Sequence, residues 1–374
     1  MVKSFIGAAV MNIRYELLDE VKQRQLPKTD KPLPFGQLRT NHMFLMNYRG
    51  GAWVDPRIVP YGEIALMPGA MCLHYGQTIF EGAKAFIHDD GGIYLFRYDK
   101  NCERLNHSAS NLCMPEIPVE DQMEATLRLV DVERGWCPAM PESSLYIRPF
   151  MFATQDSLGV KPAAEYIYCI MLSPAGPYYA GGFSKAIRLL ITSRYHRAVS
   201  GGTGTAKCGG NYAASLQAQA YAKQQGCEQV LYLDASNQTL EEVGTMNHYH
   251  VEKDGTFVIP TFNDSILESI TSRSVLELAG MKDVPIAIKA RQETIRLDKF
   301  LDDVRAGNII EAGGFGTAAV ISPVGSYLLE NGDVITVGNG GVGEHSRAFY
   351  DYYSNMQIGR KPGPKGWLRQ VPKY

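Results

Sequence analysis

Several features that mark common protein classes are missing from this sequence. No apolar run approaches the roughly 20 residues needed to span a bilayer, so no membrane helix is predicted. The formal net charge is only -2, which gives no reason to expect nucleic acid or an anionic membrane as a partner.

The seven cysteines lack the spacing of a metal or redox site. No two of them form a C-x-x-C pair, and their number is odd. We therefore expect no metal and no disulfide framework, and the pattern favours a reduced, cytoplasmic location.

The length and composition are those of a globular protein with more than one core. The 374 residues exceed what a single hydrophobic core usually supports, so two domains are expected. The stretch SPAGPYYAGGFSK (173–185) is rich in Gly, Pro and Tyr and is the best candidate for the connection between them, although an ordinary surface loop has the same composition. The first thirty residues are polar and flanked by proline, which predicts a peripheral arm and leaves a targeting role open.

Turn residues and periodicity predict a mixture of hairpins and helices. Hairpin turns are predicted at Arg49-Gly50-Gly51, at Asp89–Gly92 and at Asp254-Gly255. The predicted helices are one N-capped by Asp99, one over Val119–Glu133, one closed by Gly226 and one closed by Gly280. The segment EAGGFGTAAVISPV (311–324) is interpreted as a glycine-rich turn that enters a strand. The first half thus predicts an α+β domain on an antiparallel sheet.

The stretch GGTGTAKCGGNY (201–212) places one lysine, Lys207, among small residues just before a predicted helix. Partial burial and a nearby helix N-terminus would both favour a neutral amine, which is a nucleophile able to form a Schiff base. An ordinary phosphate-binding lysine is the alternative. The pattern G-x-x-x-x-G-K-[ST] of nucleotide-binding loops does not occur.

A pair of adjacent glutamates follows in LEEVGTMN (240–247). On a strand Glu241 and Glu242 point to opposite faces, so at most one faces an interior site. A carboxylate there suits the ring nitrogen of pyridoxal phosphate; two solvated turn glutamates are the alternative. Backbone amides at Ser269–Thr271 and at Gly316–Ala318 offer positions for a phosphate.

In combination these motifs are more specific than each is alone. GTAKCGGNY, EEVGTMN and GFGTAAVISPV, in this order, resemble the class IV aminotransferases, which are fold-type IV pyridoxal-phosphate enzymes. Within that family the chain is most similar to the branched-chain amino acid aminotransferases, because it also carries FGQLRTNHMFLM, LHYGQTIFEGAKAF, SLYIRPF and AGPYY. The resemblance covers nearly the whole chain.

The resemblance implies a two-domain α/β architecture and a set of cofactor contacts. A small α+β domain is expected over 1–175, a linker over 176–186, and a larger domain of mixed β-sheet (a pseudo-barrel) and helices over 187–374, with the site in the cleft between the domains. Lys207 is the implied catalytic residue, which forms an internal aldimine with pyridoxal 5'-phosphate. The implied cofactor-binding residues are Arg104, Lys207, Tyr212, Glu242, Thr245, Ile270, Thr271 and Thr317.

The resemblance also implies the substrates and the assembly. The activity is reversible ping-pong transfer of an amino group between L-leucine, L-isoleucine or L-valine and 2-oxoglutarate. A homodimer is expected, because Tyr75 matches a residue that reaches in from the partner subunit. The implied substrate-binding residues are Phe35, Tyr75, Phe80, Tyr146, Arg148, Tyr178, Thr245, Thr317 and Ala318.

Three positions depart from the family pattern. Glu268-Ser269 replaces a frequent Pro-Gly pair before the phosphate-binding helix, which is tolerable only if Glu268 points away from the phosphate. Ala319 and Ser322 occupy the places of a C-x-x-C pair found in some animal members, so no thiol switch of that kind is expected. His248 stands where an aliphatic residue is usual and is interpreted as a residue at the edge of the core.

Two alternative functions stay open on the sequence. Other enzymes of the same fold, namely D-amino acid or amine transaminases and aminodeoxychorismate lyase, share the lysine and the glutamate, but they tend to be shorter and to lack the N-terminal motif and AGPYY. A non-catalytic homologue that only binds the cofactor is the second alternative.

Overall fold

The computed structural model describes residues 11–29, 31–177, 182–317 and 319–374. Over these ranges the chain forms two large sheets with helices packed against them. The start of the predicted N-terminal arm and the middle of the predicted linker lie outside the described residues. None of the described helices is both long enough and apolar enough to cross a membrane.

The strands and the α-helices are numbered separately in chain order. The strands are β1 (Arg14–Tyr15), β2 (His42–Arg49), β3 (Ala52–Pro60), β4 (Thr78–Phe80), β5 (Ala83–Ile87), β6 (Ile93–Phe96), β7 (Ser144–Ala153), β8 (Tyr166–Ala175), β9 (Ile187–Ile191), β10 (Gln229–Leu233), β11 (Leu240–Val243), β12 (Met246–Glu252), β13 (Thr256–Pro260), β14 (Lys289–Glu293), β15 (Ile309–Gly316), β16 (Val320–Leu328), β17 (Val334–Thr336) and β18 (Leu368–Gln370). The α-helices are α1 (Met71–Tyr75), α2 (Tyr98–Asn111), α3 (Val119–Val132), α4 (Gly209–Gln224), α5 (Ile270–Ala279), α6 (Leu297–Arg305) and α7 (Glu344–Gln357).

The first sheet is antiparallel apart from one edge. Its order is β1-β3-β2-β8-β7-β5-β6-β18, with β4 also paired to β7, and only β1 runs parallel to its neighbour. Helices α2 and α3 cover one face, where Leu105, Ala125 and Leu129 are fully buried in the same hydrophobic cluster as Ile147 and Ile170 of the sheet. The predicted antiparallel sheet in the first half is confirmed. Strand β18 pairs with β6, so the end of the chain returns to this sheet.

The second sheet closes on itself. Strands β11, β10, β9, β16, β15 and β12 pair in that order, and β12 pairs again with β11, which completes a six-stranded ring. Both neighbours of β9 run parallel to it and the other pairs of the ring are antiparallel. The fold class is therefore the expected one, a mixed sheet with barrel-like closure beside an α+β region.

Most local predictions are confirmed, because glycine supplied the backbone angle that each turn needed. The hairpin β2–β3 turns at Gly50 and Gly51, and β12–β13 turns at Gly255, all with positive φ. Helix α4 ends just before Gly226, whose φ is 73°. Helix α5 is N-capped by Ser269, whose side chain accepts a hydrogen bond from an amide of the first turn.

Two local predictions are wrong. Asp99 lies inside the first turn of α2 and does not cap it; the chain enters this helix through Arg97, which has a left-handed backbone (φ 48°) and a guanidinium held by Ser274 and Glu277. The segment EAGGFG is not a turn but strand β15. A Cβ at Gly313 would lie 2.5 Å from the hydroxyl of the buried Tyr249, so the glycine makes room for close packing between strands.

Candidate active site

A cleft of about 230 Å³ opens between the two sheets. It receives side chains from the first sheet and from the loops that enter and leave the closed ring. Ten residues predicted from the sequence line it, namely Phe35, Phe80, Arg104, Tyr146, Arg148, Lys207, Tyr212, Glu242, Thr245 and Thr317.

Lys207 lines the cleft, and hydrogen bonds of its main chain fix the position of its backbone. Its amide donates a 2.8 Å hydrogen bond to the hydroxyl of Ser108, and its carbonyl accepts one of 2.9 Å from the amide of Phe80. The side chain is half-buried, and its Nζ donates a 2.9 Å hydrogen bond to the hydroxyl of Tyr212 in the first turn of α4. The amine thus has a defined position with a phenol beside it.

The glycines around Lys207 allow a close approach of two loops. A Cβ at Gly204 would lie 2.5 Å from the carbonyl oxygen of Ser265, so no other residue fits there without a shift of the backbone. The same carbonyl, together with that of Gly204, accepts hydrogen bonds from the guanidinium of Arg197.

Glu242 presents a buried carboxylate to the cleft from β11. It is 3% exposed, accepts a 2.7 Å hydrogen bond from the amide of Leu267, and lies 3.2 Å from Nε of Arg197. Burial raises the pKa of Glu242, and the charge of Arg197 acts against that rise. Glu241 points to the opposite side, where the hydroxyl of Ser265 donates to it. Because both glutamates are buried, the alternative of two solvated turn residues is wrong.

Hydrogen-bond donors gather at the other end of the cleft. Arg104 of α2 reaches this end with a guanidinium that is only 10% exposed, and its Nη1 donates a 2.9 Å bond to the carbonyl of Glu268. The amides of Ile270 and Thr271 belong to the first turn of α5, where amides have no acceptor within the helix. Together with Thr317 these two residues line a small adjoining cavity of about 20 Å³. The arrangement suits an anionic group.

Aromatic rings form the remaining wall. The rings of Phe35 and Tyr146 meet edge to face with centroids 5.0 Å apart. The guanidinium of Arg148 lies 4.7 Å from the centroid of the Phe80 ring, and its Nη2 donates a 2.9 Å hydrogen bond to the hydroxyl of Tyr146. This wall combines an apolar surface with one cation.

This chain resembles known proteins over most of its length. The family model described as amino-transferase class IV matches residues 78–313. The chain is 42% identical to the branched-chain-amino-acid transaminase 1 of Bacillus subtilis (strain 168), over 91% of this chain and 96% of the relative.

The chain belongs to the class IV aminotransferases. It is similar to the solved structure of the branched-chain amino acid aminotransferase of Escherichia coli, with a TM-score of 0.72, 25% identity, and coverage of 89% of this chain and 99% of the other. It is also similar to the T.th. branched-chain amino acid aminotransferase with pyridoxamine 5'-phosphate, with a TM-score of 0.69, 27% identity, and coverage of 87% and 98%. The T.th. enzyme has also been solved with N-(5'-phosphopyridoxyl)-L-glutamate and with 4-methylvaleric acid, at TM-scores of 0.66 and 0.67.

Two predicted substrate residues, Tyr178 and Ala318, lie outside the described residues. A third, Tyr75, is described but does not line the cleft. Tyr75 ends α1 on the surface, is 39% exposed, and donates a hydrogen bond to the carbonyl of Leu158. A role for Tyr75 in the site of a partner subunit stays a prediction.

The departures from the family pattern have distinct structural outcomes. The side chain of Glu268 pairs with Arg273 and does not line the cleft, but it borders a neighbouring cavity together with Arg104. His248 is fully buried, so it lies within the core and not at its edge as predicted. Its ring packs against that of Phe300, and burial lowers its pKa well below the ordinary value, which favours the neutral form.

Two charged residues of the site were not predicted from the sequence, Glu81 and Arg197. Glu81 is fully buried and accepts hydrogen bonds from Nε and Nη2 of Arg104, at 2.6 and 2.9 Å. It lies inside the motif QTIFEGAKAF, and Arg197 lies four residues before the first glycine of GGTG. For Glu81 the available signal was a charged residue inside a largely apolar motif, whereas the sequence around Arg197 carries no such signal.

Proposed function

We propose that this class IV aminotransferase transfers amino groups between branched-chain L-amino acids and 2-oxoglutarate, reversibly and by a ping-pong mechanism. The observation that carries the proposal is that Lys207, Tyr212 and Glu242 share one cleft with an aromatic wall. The names of the Bacillus subtilis and Escherichia coli relatives support the substrate class.

The residues of the cleft fit pyridoxal 5'-phosphate as the cofactor. Glu242 is a buried carboxylate suited to a ring nitrogen, and Tyr212 is placed for the phenolic oxygen. A phosphate would be held by the remaining donors, which are Arg104, the amides of Ile270 and Thr271, and the hydroxyl of Thr317, while Thr245 at the turn between β11 and β12 lines the ring site. When bound, the cofactor supplies an electron-poor ring that stabilises negative charge at the α-carbon of the substrate.

Lys207 carries the proton transfer in this proposal. Its Nζ would hold the cofactor in the resting enzyme and would be freed when a substrate amine binds. The free amine would then act as the base that removes the proton from the α-carbon of the substrate and as the acid that gives the proton back. The Tyr212 hydroxyl, 2.9 Å from Nζ, keeps the amine within the cleft throughout. The carboxylate of Glu242 keeps the ring end of the site negative.

The aromatic wall selects the side chain of the substrate. Phe35, Phe80 and Tyr146 offer apolar surface, and each methylene buried there contributes about 0.8 kcal/mol. Arg148 is the cation available to a carboxylate. Tyr178, Ala318 and Thr317 are proposed to complete the pocket. The 4-methylvaleric acid complex of the T.th. enzyme supports a site for a branched aliphatic chain.

We also propose a homodimer in which Tyr75 reaches the partner's site. The surface around Tyr75 exposes several large apolar side chains, which is unusual for a surface that faces only water. These side chains are Leu66, Met67, Leu73, Leu158 and Val160.

The domain division and the location are proposals as well. The two sheets fall on either side of a linker at 176–186, with β18 as the strand that crosses back from 187–374 to the sheet of 1–175. A cytoplasmic location is supported by the seven cysteines, all of which are free.

The proposal is tested by adding L-leucine to the purified protein and following the visible absorbance of its cofactor. The band of the lysine-bound form should fall while that of the amine form rises. The matched controls are D-leucine and the variant Lys207→Ala, neither of which should show the change. A lysine-bound band that does not respond to L-leucine would retain the cofactor and refute the substrate class. Absence of that band after addition of pyridoxal phosphate would refute the role of Lys207.

A further inference from the structure

We infer that Glu81 is a positioning residue that aims Arg104 at the phosphate end of the cofactor. The inference rests on the proposed function, because it requires a phosphate to be bound by Arg104. The guanidinium of Arg104 has five N–H groups. Nε and Nη2 each donate one hydrogen bond to Glu81, and Nη1 donates one to the carbonyl of Glu268. Two N–H groups therefore have no acceptor among the described residues and remain to bind an anion.

The carboxylate of Glu81 is itself immobile. It is fully buried in the connection between β4 and β5, and its own amide donates a 2.7 Å hydrogen bond to the carbonyl of Pro149. Besides Arg104, its Oε2 accepts hydrogen bonds from the side chain of Asn101 at 2.8 Å and from the amide of Gly82 at 3.1 Å. Every oxygen has a donor. Burial raises the pKa of this carboxyl, but the charges of Arg104 and Lys207 together with the hydrogen bonds from Arg104 and Asn101 bring the pKa below its ordinary value.

This arrangement orders Arg104 before any phosphate arrives. A buried guanidinium without a partner would be destabilising, and a mobile one would lose side-chain entropy on binding. Glu81 accepts hydrogen bonds from Nε and Nη2, which lie along one edge of the planar guanidinium. Because this pair is bidentate, it also fixes the orientation of the opposite edge. Phosphate affinity then benefits from preorganisation, although Glu81 itself carries a negative charge.

The sign of the effect distinguishes positioning from simple electrostatics. If Glu81 acted only through its charge, its removal would make the site more positive and tighten phosphate binding. If Glu81 acts by positioning, its removal weakens phosphate binding. The substitution Glu81→Gln is suitable, because each carboxylate oxygen accepts one hydrogen bond from Arg104. Whichever oxygen the amide nitrogen replaces, one of these two bonds is lost, since two N–H donors then face each other. At the Oε2 position the amide nitrogen would also face the donors of Asn101 and Gly82. The substitution Glu81→Asp keeps the charge and withdraws the carboxylate by one methylene.

The experiment compares the affinities of pyridoxal 5'-phosphate and pyridoxal, which lacks the phosphate, for the apoenzymes prepared from each variant. The dissociation constant of pyridoxal divided by that of pyridoxal 5'-phosphate isolates the contribution of the phosphate, and thermal melting of each apoenzyme reports folding. We expect this ratio to fall by about ten- to 100-fold in Glu81→Gln, the range found when an orienting partner behind a ligand-binding group is removed. Glu81→Asp should also lower it. The control Glu133→Gln alters another buried glutamate, paired with His42, and should leave the ratio unchanged.

The outcomes separate the two proposals. An unchanged or increased ratio in either folded Glu81 variant overturns the positioning role while the proposed function stands. If Glu81→Gln does not fold, Glu81→Asp still decides, because a charge-only role predicts no change for it. A wild-type protein that binds pyridoxal 5'-phosphate no better than pyridoxal overturns the proposed phosphate site and the role of Glu81 with it.

Discussion

Removal of the guanidinium beside Glu242 should make the stability of the protein depend on pH in a defined direction. Arg197 is buried, and its Nε lies 3.2 Å from the carboxylate of Glu242. In the variant Arg197→Met the carboxylate keeps the amide of Leu267 as its one close donor among the described residues. Burial already raises the pKa of Glu242, and loss of the cation that opposes this rise should raise the pKa further.

Proton linkage gives the direction in which the free energy of unfolding changes with pH. A carboxyl whose pKa is higher in the folded state than in the unfolded state binds more protons when folded, so stability is lost as pH rises above the unfolded value of about 4.5. The loss in Arg197→Met continues to a higher pH than in the wild type, whose own loss ends once its raised pKa is passed. Above that pH the two proteins diverge by at most about 1.4 kcal/mol per pH unit, toward the range of about 3–5 kcal/mol for breaking a buried ion pair.

The assay is urea denaturation of the cofactor-free protein at a series of pH values. The difference in unfolding free energy between Arg197→Met and the wild type should increase steadily from about pH 5 toward pH 8. This increase adds to a pH-independent cost, because the carbonyls of Gly204 and Ser265 lose their donor. The control compares Arg197→Met in the background of Glu242→Gln, where only the smaller slope from Glu241 should remain, because Arg197 also opposes the raised pKa of Glu241. A destabilisation that is equal at all pH values, or that keeps its full slope in the Glu242→Gln background, would refute the assignment of this pair.

Three further substitutions test other parts of the structure. Gly313→Ala should destabilise the protein by about 1–3 kcal/mol, because the new methyl group would overlap the ring of Tyr249, whereas Gly135→Ala, in open space, should have little effect in the same denaturation assay. Ser269→Ala removes the N-cap of α5 and should cost about 1 kcal/mol, together with a weaker affinity for pyridoxal 5'-phosphate in an absorbance titration. Leu158→Asp places a charge on the exposed apolar surface and should shift the protein toward the monomer in analytical ultracentrifugation; an unchanged mass would place the dimer interface elsewhere.

The sequence was most informative where one residue decides a local geometry. A hairpin requires a positive φ at its turn, and Gly50 and Gly255 supply it, so those hairpins could be predicted without any knowledge of the rest of the chain. Alternation along a strand likewise separated Glu241 from Glu242. Alternation could not show that both faces are buried, since that follows from closure of the ring and from loops that cover it.

Local sequence patterns could not predict which residues pair with the charged side chains of the site. Glu81 and Arg104 are 23 residues apart, and Glu242 and Leu267 are 25 apart, so no periodicity joins them. The glycine at 313 was misassigned for the same reason: the ring that requires its small size, Tyr249, comes from another strand. Short-range patterns predict the elements, while contacts between distant segments decide which charges are paired in the site.

The replacement of Pro-Gly by Glu268-Ser269 shows why a site can keep its geometry when its sequence changes. Three consecutive residues connect the two ends of the cleft through their main chains: the amide of Leu267 binds Glu242, the carbonyl of Glu268 accepts from Arg104, and the amide of Ser269 donates to Asn247. Proline at 268 would still provide a carbonyl, and glycine at 269 would still provide an amide. Because none of the three contacts uses a side chain of this segment, the departure from the family pattern leaves them intact. The new glutamate side chain is compensated separately by its ion pair on the outer surface.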